Sequence, residues 1–111
     1  MWVDAGGGRW RRDDGGSGWL TRVGDLLAEA HLLDDTVWVH TYRHDPAAAA
    51  AALPPGVSAA ATGGPLDDCV YLGTTQVPLS TVDPGTAGPR NEARVFDFLS
   101  TRAAAAAASL R

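Results

Sequence analysis

Residues 19–33, WLTRVGDLLAEAHLL, place apolar side chains at Trp19, Leu20, Val23, Leu26, Leu27 and Ala30. These fall at i, i+1, i+4, i+7, i+8 and i+11, one stripe of a 3.6-residue helix, so the pattern predicts a helix here. Ser17 supplies an N-cap hydroxyl for an orphan backbone N–H. Gly24 costs that helix about 1 kcal/mol relative to alanine. His31 adjoins the stripe as a boundary residue.

The pattern changes after the acidic turn Asp34–Asp35. Thr36 to Tyr42 is rich in β-branched and aromatic residues and predicts a strand. Asp45 and Pro46 are favoured at an N-cap and a first helical position, so Ala47 to Leu53 predicts a short helix, stopped by Pro54 and Pro55. A small-residue strand is expected over 57–62, a turn at Gly63–Pro65 and a good strand over 68–73. Pro78 confines its own stretch of chain to an edge strand or a loop. After the turn cluster at 83–89, Val95, Phe96, Phe98, Leu99 and Arg102 supply the packing stripe of a last helix beginning at Pro89, and its alanines have the highest helix propensity. At the other end, Trp2–Val3 and Trp10–Arg12 flank Gly6, Gly7 and Gly8, the composition of a β-hairpin or of a flexible leader. Two tryptophans there favour docking, since an aromatic left in water forfeits its burial energy.

The order (ββ)-α-β-α-β-β-α gives an α/β or α+β fold. Expected are one mixed β-sheet of three to five strands, two longer helices and one short alanine-rich helix. Residues 1–18 form the glycine-rich leader or hairpin, and 19–111 a single small domain.

The chain has 111 residues, enough for one domain burying roughly two thirds of its unfolded surface. The net charge of −4 suits a soluble protein and does not steer it toward nucleic acid, whose binders carry a basic face. All nine basic residues are arginine, and alanine runs occupy 47–52 and 103–108, a usage typical of GC-rich bacterial genomes. Cys69 is the single cysteine, so no intrachain disulfide forms, and it reads as a small buried residue. No apolar run approaches the ~20 residues that span a membrane, and the first residues lack the order of a signal peptide. A cytoplasmic location is expected.

Candidate chemistry concentrates in VWVHTYRHDP, residues 37–46. On a strand, Trp38, His40, Tyr42 and His44 share one face. Four residues along a strand span about 13 Å, too far for His40 and His44 to sit ~2.0–2.1 Å from one zinc ion without a bend. Asp45 is spent as a helix cap. No catalytic or metal set is therefore assigned, and no cofactor is expected. Tryptophan, tyrosine and histidine on one sheet face match the amphipathic composition of protein interfaces, while the plainer alternative packs Trp38 and Tyr42 in the core. The glycines in DAGGGRWRR are read as a turn, because no Lys-Ser/Thr comes after them.

The segment VYLGTTQVPLSTVDPGTAGPRNEARVFDFLSTR carries a resemblance. A strand with an aromatic and a glycine (Val70, Tyr71, Leu72, Gly73) is followed by Val77, Pro78 and Leu79. A helix then bears Val95, Phe98 and Leu99 before Arg102. This resembles the C-terminal half of a family of bacterial immunity proteins that accompany polymorphic toxins, often of the nucleic-acid deaminase class. The family's usual ending, a tight turn and a final strand, is replaced here by the alanine-rich tail. The resemblance implies a binding protein, not an enzyme, that blocks a cognate toxin by occlusion. The interface candidates are then Trp38, His40, Tyr42, His44 and Tyr71, and the partner is a protein, with no nucleic acid or membrane and with homo-oligomers allowed. The alternatives are an accessory or structural subunit of a larger assembly, including a phage or viral one, and a small enzyme using His40 with Cys69 or a metal.

Overall fold

Six strands succeed one another across a single antiparallel sheet, each hydrogen-bonded to the next in chain order. The computed structural model describes residues 2–12, 18–51, 64–82 and 92–109. The strands are β1 Trp2–Asp4, β2 Arg9–Arg12, β3 Gly18–Val23, β4 Leu26–Leu33, β5 Thr36–His44 and β6 Cys69–Pro78. The helices are α1 Pro46–Ala51, α2 Leu79–Val82 and α3 Glu92–Ser109.

The expected class holds in its coarse form, helices packed with one sheet, but the sheet differs from expectation. It is antiparallel throughout instead of mixed, and it has six described strands where three to five were expected. The expected helix over 19–33 is the hairpin β3–β4, with Trp19 opposite Ala30 and Val23 opposite Leu26. The reason is burial on both sides of these strands. Trp19, Leu26, Ala28 and Ala30 are buried on one face, while Leu20 and Leu27, both fully buried, point to the other. Strands buried on both faces lose strict alternation, and here the remainder mimics a helical stripe. Gly24 is the turn residue, at φ 61°, a left-handed conformation open to glycine at no steric cost. Only one long helix is therefore present among the described residues, not two. The Ser17 cap, the 57–62 strand and the start of the last helix at Pro89 lie outside the described residues.

Other elements match their local chemistry. The N-terminal hairpin forms around Gly6–Gly8, with Trp2 opposite Arg12, and β2 pairs on to β3. The backbone N–H of Ala48 donates to Asp45 Oδ1 at 3.0 Å, the expected cap of α1. The strand expected over 68–73 runs on to Pro78, and it lies at the sheet edge, where a proline is tolerated.

α3 covers one face of the sheet, chiefly over β3 and β4. Its Val95, Phe96, Leu99 and Ala103 pack with Trp19, Ala28, Ala30, Val37, Val39 and Val77. Alanines at 28, 30 and 103 leave room for the helix to sit close to the strands. Arg9 reaches the helix from β2, its guanidinium 5.4 Å from the Phe96 ring centroid and 3.3 Å from Asp97 Oδ1.

Candidate functional site

Side chains alternate across a strand, so the register of β4, β5 and β6 decides what shares the face turned away from α3. Along β5 that face carries Trp38, His40, Tyr42 and His44, as alternation predicts. Opposite them on β4 stand His31 (facing Trp38), Glu29 (facing His40) and Leu27 (facing Tyr42). On β6 the partners are Gln76, Thr74, Tyr71 and Cys69 for Trp38, His40, Tyr42 and His44 in turn.

Tyr71 reaches this face because of an irregularity. Thr41 pairs with Gly73, but Tyr42 pairs with Tyr71, which leaves Leu72 as an extra residue. Regular pairing would set Tyr71 opposite Arg43, on the helix side. A bulge of this kind re-aims the side chains beyond it, and here it joins Tyr71 to the aromatic row.

The result is a run of rings. His31 stacks on Trp38 with centroids 6.3 Å apart and lies 5.0 Å from His40. His40 is 6.4 Å from Tyr71, which is 5.8 Å from Tyr42. These separations lie within the range of favourable aromatic pairs. Polar contacts fix the row. His40 Nδ1 shares a 2.7 Å hydrogen bond with Thr74 Oγ1, and the Tyr71 hydroxyl bonds the same Thr74 oxygen. The Tyr42 hydroxyl donates to Glu29 Oε1 at 3.1 Å. Burial, then the charge and hydrogen bond of Glu29, hold the Tyr42 hydroxyl well above its ordinary value of 10.0. Tyr71 is 56% exposed, and Leu72 beside it 41%.

All five residues singled out from sequence lie on this face, and the ring contacts join Trp38, His40, Tyr42 and Tyr71. His44 sits at its far end, opposite Cys69. Three participants were missed: His31, Glu29 and Thr74. The signal for the first two was present in Asp34–Asp35. A two-residue turn there pairs Leu33 with Thr36, and counting back places residue 31 opposite 38 and 29 opposite 40.

Cys69 is not beside His40, since the register gives it His44. Its thiol lies 3.6 Å from the Asp67 carbonyl oxygen and 3.8 Å from that of Pro65. Burial pushes the thiol's pKa up, with Asp68 and Asp67 adding and Arg22 opposing, which disfavours the thiolate that nucleophilic chemistry requires. Among the described residues no group of three or more His, Cys, Asp or Glu is placed to hold a metal ion. No helix among them is long and apolar enough to cross a membrane. A cavity of about 360 Å³ opens on the helix side of the bulge, lined by Thr41, Leu72, Gly73 and Ala106 among others, without a charged group. Comparison with protein-family models, curated proteins and solved structures returns no match.

Proposed function

We propose that this chain is a small protein-binding module whose contact surface is the aromatic face of β5 and β6, and that its partner is a toxin it neutralises by occlusion. The observation that carries the binding reading is the ring row of Trp38, His31, His40, Tyr71 and Tyr42 on a hydrogen-bonded sheet. Aromatic side chains dominate the energetics of protein interfaces. Rings already fixed by strand pairing and by Thr74 and Glu29 lose little further freedom on binding, so less of the contact energy is spent on ordering. The toxin reading rests on the resemblance carried by residues 70–102. The net charge of −4 supports it, because a toxin acting on nucleic acid presents a basic surface that an acidic protein can cover.

The test is native mass spectrometry of the chain expressed with its neighbouring gene products, followed by titration of the isolated pair. The expected result is a one-to-one complex with one unrelated chain. Tyr71→Ala and Trp38→Ala should each weaken it by about 30-fold, the equivalent of ~2 kcal/mol at a hot spot, without changing the thermal unfolding midpoint of the free chain enough to explain the loss. A large homo-oligomer, or a complex indifferent to both substitutions, overturns the proposal.

A further inference from the structure

Bringing His31 beside His40 is a consequence of the β4–β5 register, and it creates a geometry that His40 and His44 do not have. The two imidazoles come from adjacent strands at diagonal positions, since His31 faces Trp38 and His40 lies two residues further along β5. Diagonal neighbours on one sheet face are within reach of long side chains. Their ring centroids are 5.0 Å apart and their planes are tilted by 43°.

We propose that His31 and His40 form a two-histidine site for a divalent transition-metal ion of the zinc type. The distance argument is direct. A ligating nitrogen lies ~2.0–2.1 Å from zinc and about 1.1 Å from its own ring centroid, so the metal stands roughly 3.2 Å from each centroid. At ligand angles of about 90–109°, two such centroids are roughly 4.5–5.2 Å apart. The observed 5.0 Å falls inside that interval. His40 is also held as a ligand would be. Its Nδ1 is bonded to Thr74 Oγ1; with Nδ1–H donating, Nε2 keeps its lone pair for the ion. A metal-bound histidine characteristically donates its other ring N–H to an oxygen in this way. Glu29, opposite His40 in register, adds negative charge to the same row. Water fills the remaining coordination positions, since no third described side chain joins the pair. Imidazole nitrogen suits Zn²⁺, Cu²⁺ and Ni²⁺, and does not suit Mg²⁺ or Ca²⁺.

The proposal is independent of the partner reading and is tested on the free, full-length chain with the metal alone. Isothermal titration with Zn²⁺ should saturate at one ion per chain, and Mg²⁺ should give no signal. His31→Ala and His40→Ala should each weaken Zn²⁺ binding at least about tenfold, the lower range for loss of a group supporting a site. His44→Ala should leave it unchanged. Nitrogen-15 spectra of the imidazoles should show His31 and His40 shifting on Zn²⁺ addition, with the zinc-induced shift of His40 on Nε2. Should either alanine variant fail to keep the parent circular dichroism spectrum, the same spectra on the unsubstituted chain decide the question. Absence of saturable binding, undiminished binding in both variants, or zinc shifts confined to His44 overturns the site.

Discussion

Tyr42 is the residue whose ionisation is most tightly bound to the fold. Its hydroxyl donates to Glu29 Oε1, and half-burial beside that carboxylate disfavours a second negative charge. The folded pKa therefore lies above the ordinary value of 10.0. Below about pH 10 folded and unfolded chains both keep the phenolic proton, and Tyr42 contributes no pH dependence. Above it the unfolded chain releases its proton first and binds fewer protons than the folded chain, so stability falls as pH rises toward the folded value. Cys69, also raised, acts with the same sign from its ordinary value of 9.0 upward. Urea midpoints measured from pH 8 to 11 should be level at first and then decline. Tyr42→Phe should cost about 1 kcal/mol at neutral pH through the lost hydrogen bond, and it should flatten the alkaline decline. An unchanged alkaline slope in Tyr42→Phe would place the coupling elsewhere.

At the scale of elements, two-residue turns set the register on which the candidate site depends. Gly24 and Asp34 are the first residues of the β3–β4 and β4–β5 turns, and both have positive φ, 61° and 56°. A β-carbon built on Gly24 meets nothing within 4 Å, so the cost of Gly24→Ala is conformational, not a clash. It should lower stability by about 1–2 kcal/mol in urea unfolding. Asp34→Gly should shift stability by no more than about 0.5 kcal/mol, because relief of the left-handed conformation offsets the larger entropy of glycine in the unfolded chain. A loss in Asp34→Gly as large as that in Gly24→Ala would mean that the Asp34 side chain holds its turn. These same turns explain what the sequence conveyed and what it hid. Strand β5, the first hairpin, the Asp45 cap and α3 were legible because composition and alternation agree there. Residues 19–33 were not, because Leu20 and Leu27 are buried on the face opposite Trp19 and Ala28, and apolar residues on both faces erase the period of two. The site was legible along β5, where alternation suffices. Its β4 side was hidden by the helical stripe, and the placement of Tyr71 depends on a one-residue bulge at Leu72 that no composition signal marks.

For the whole molecule, the six strands and the one long described helix stabilise each other across a single layer of side chains. Leu99 is fully buried at the centre of that layer, with Val95, Phe96 and Ala103 around it on α3 and Trp19, Ala28, Ala30 and Val39 across on the sheet. The residues facing the helix are mostly small, so there is little nearby bulk to collapse into space vacated by Leu99. Leu99→Ala should therefore fall within the range of about 2–5 kcal/mol for buried leucine truncations, and toward its upper end. Against a total of roughly 5–15 kcal/mol for a small domain, that is a large fraction. The loss should be shared by helix and sheet. Trp19 on β3 is 8% exposed beneath α3, so its fluorescence reports the sheet side of the layer, while circular dichroism at 222 nm reports chiefly the helix. In the parent chain and in Leu99→Ala the two signals should give the same urea midpoint, moved together to lower urea by the substitution, as a two-state domain requires. If the helix signal were lost first while Trp19 stayed buried, α3 would be an accessory to a self-sufficient sheet. If the midpoints coincide, the face bearing the ring row owes its rigidity to the helix packed on the opposite side.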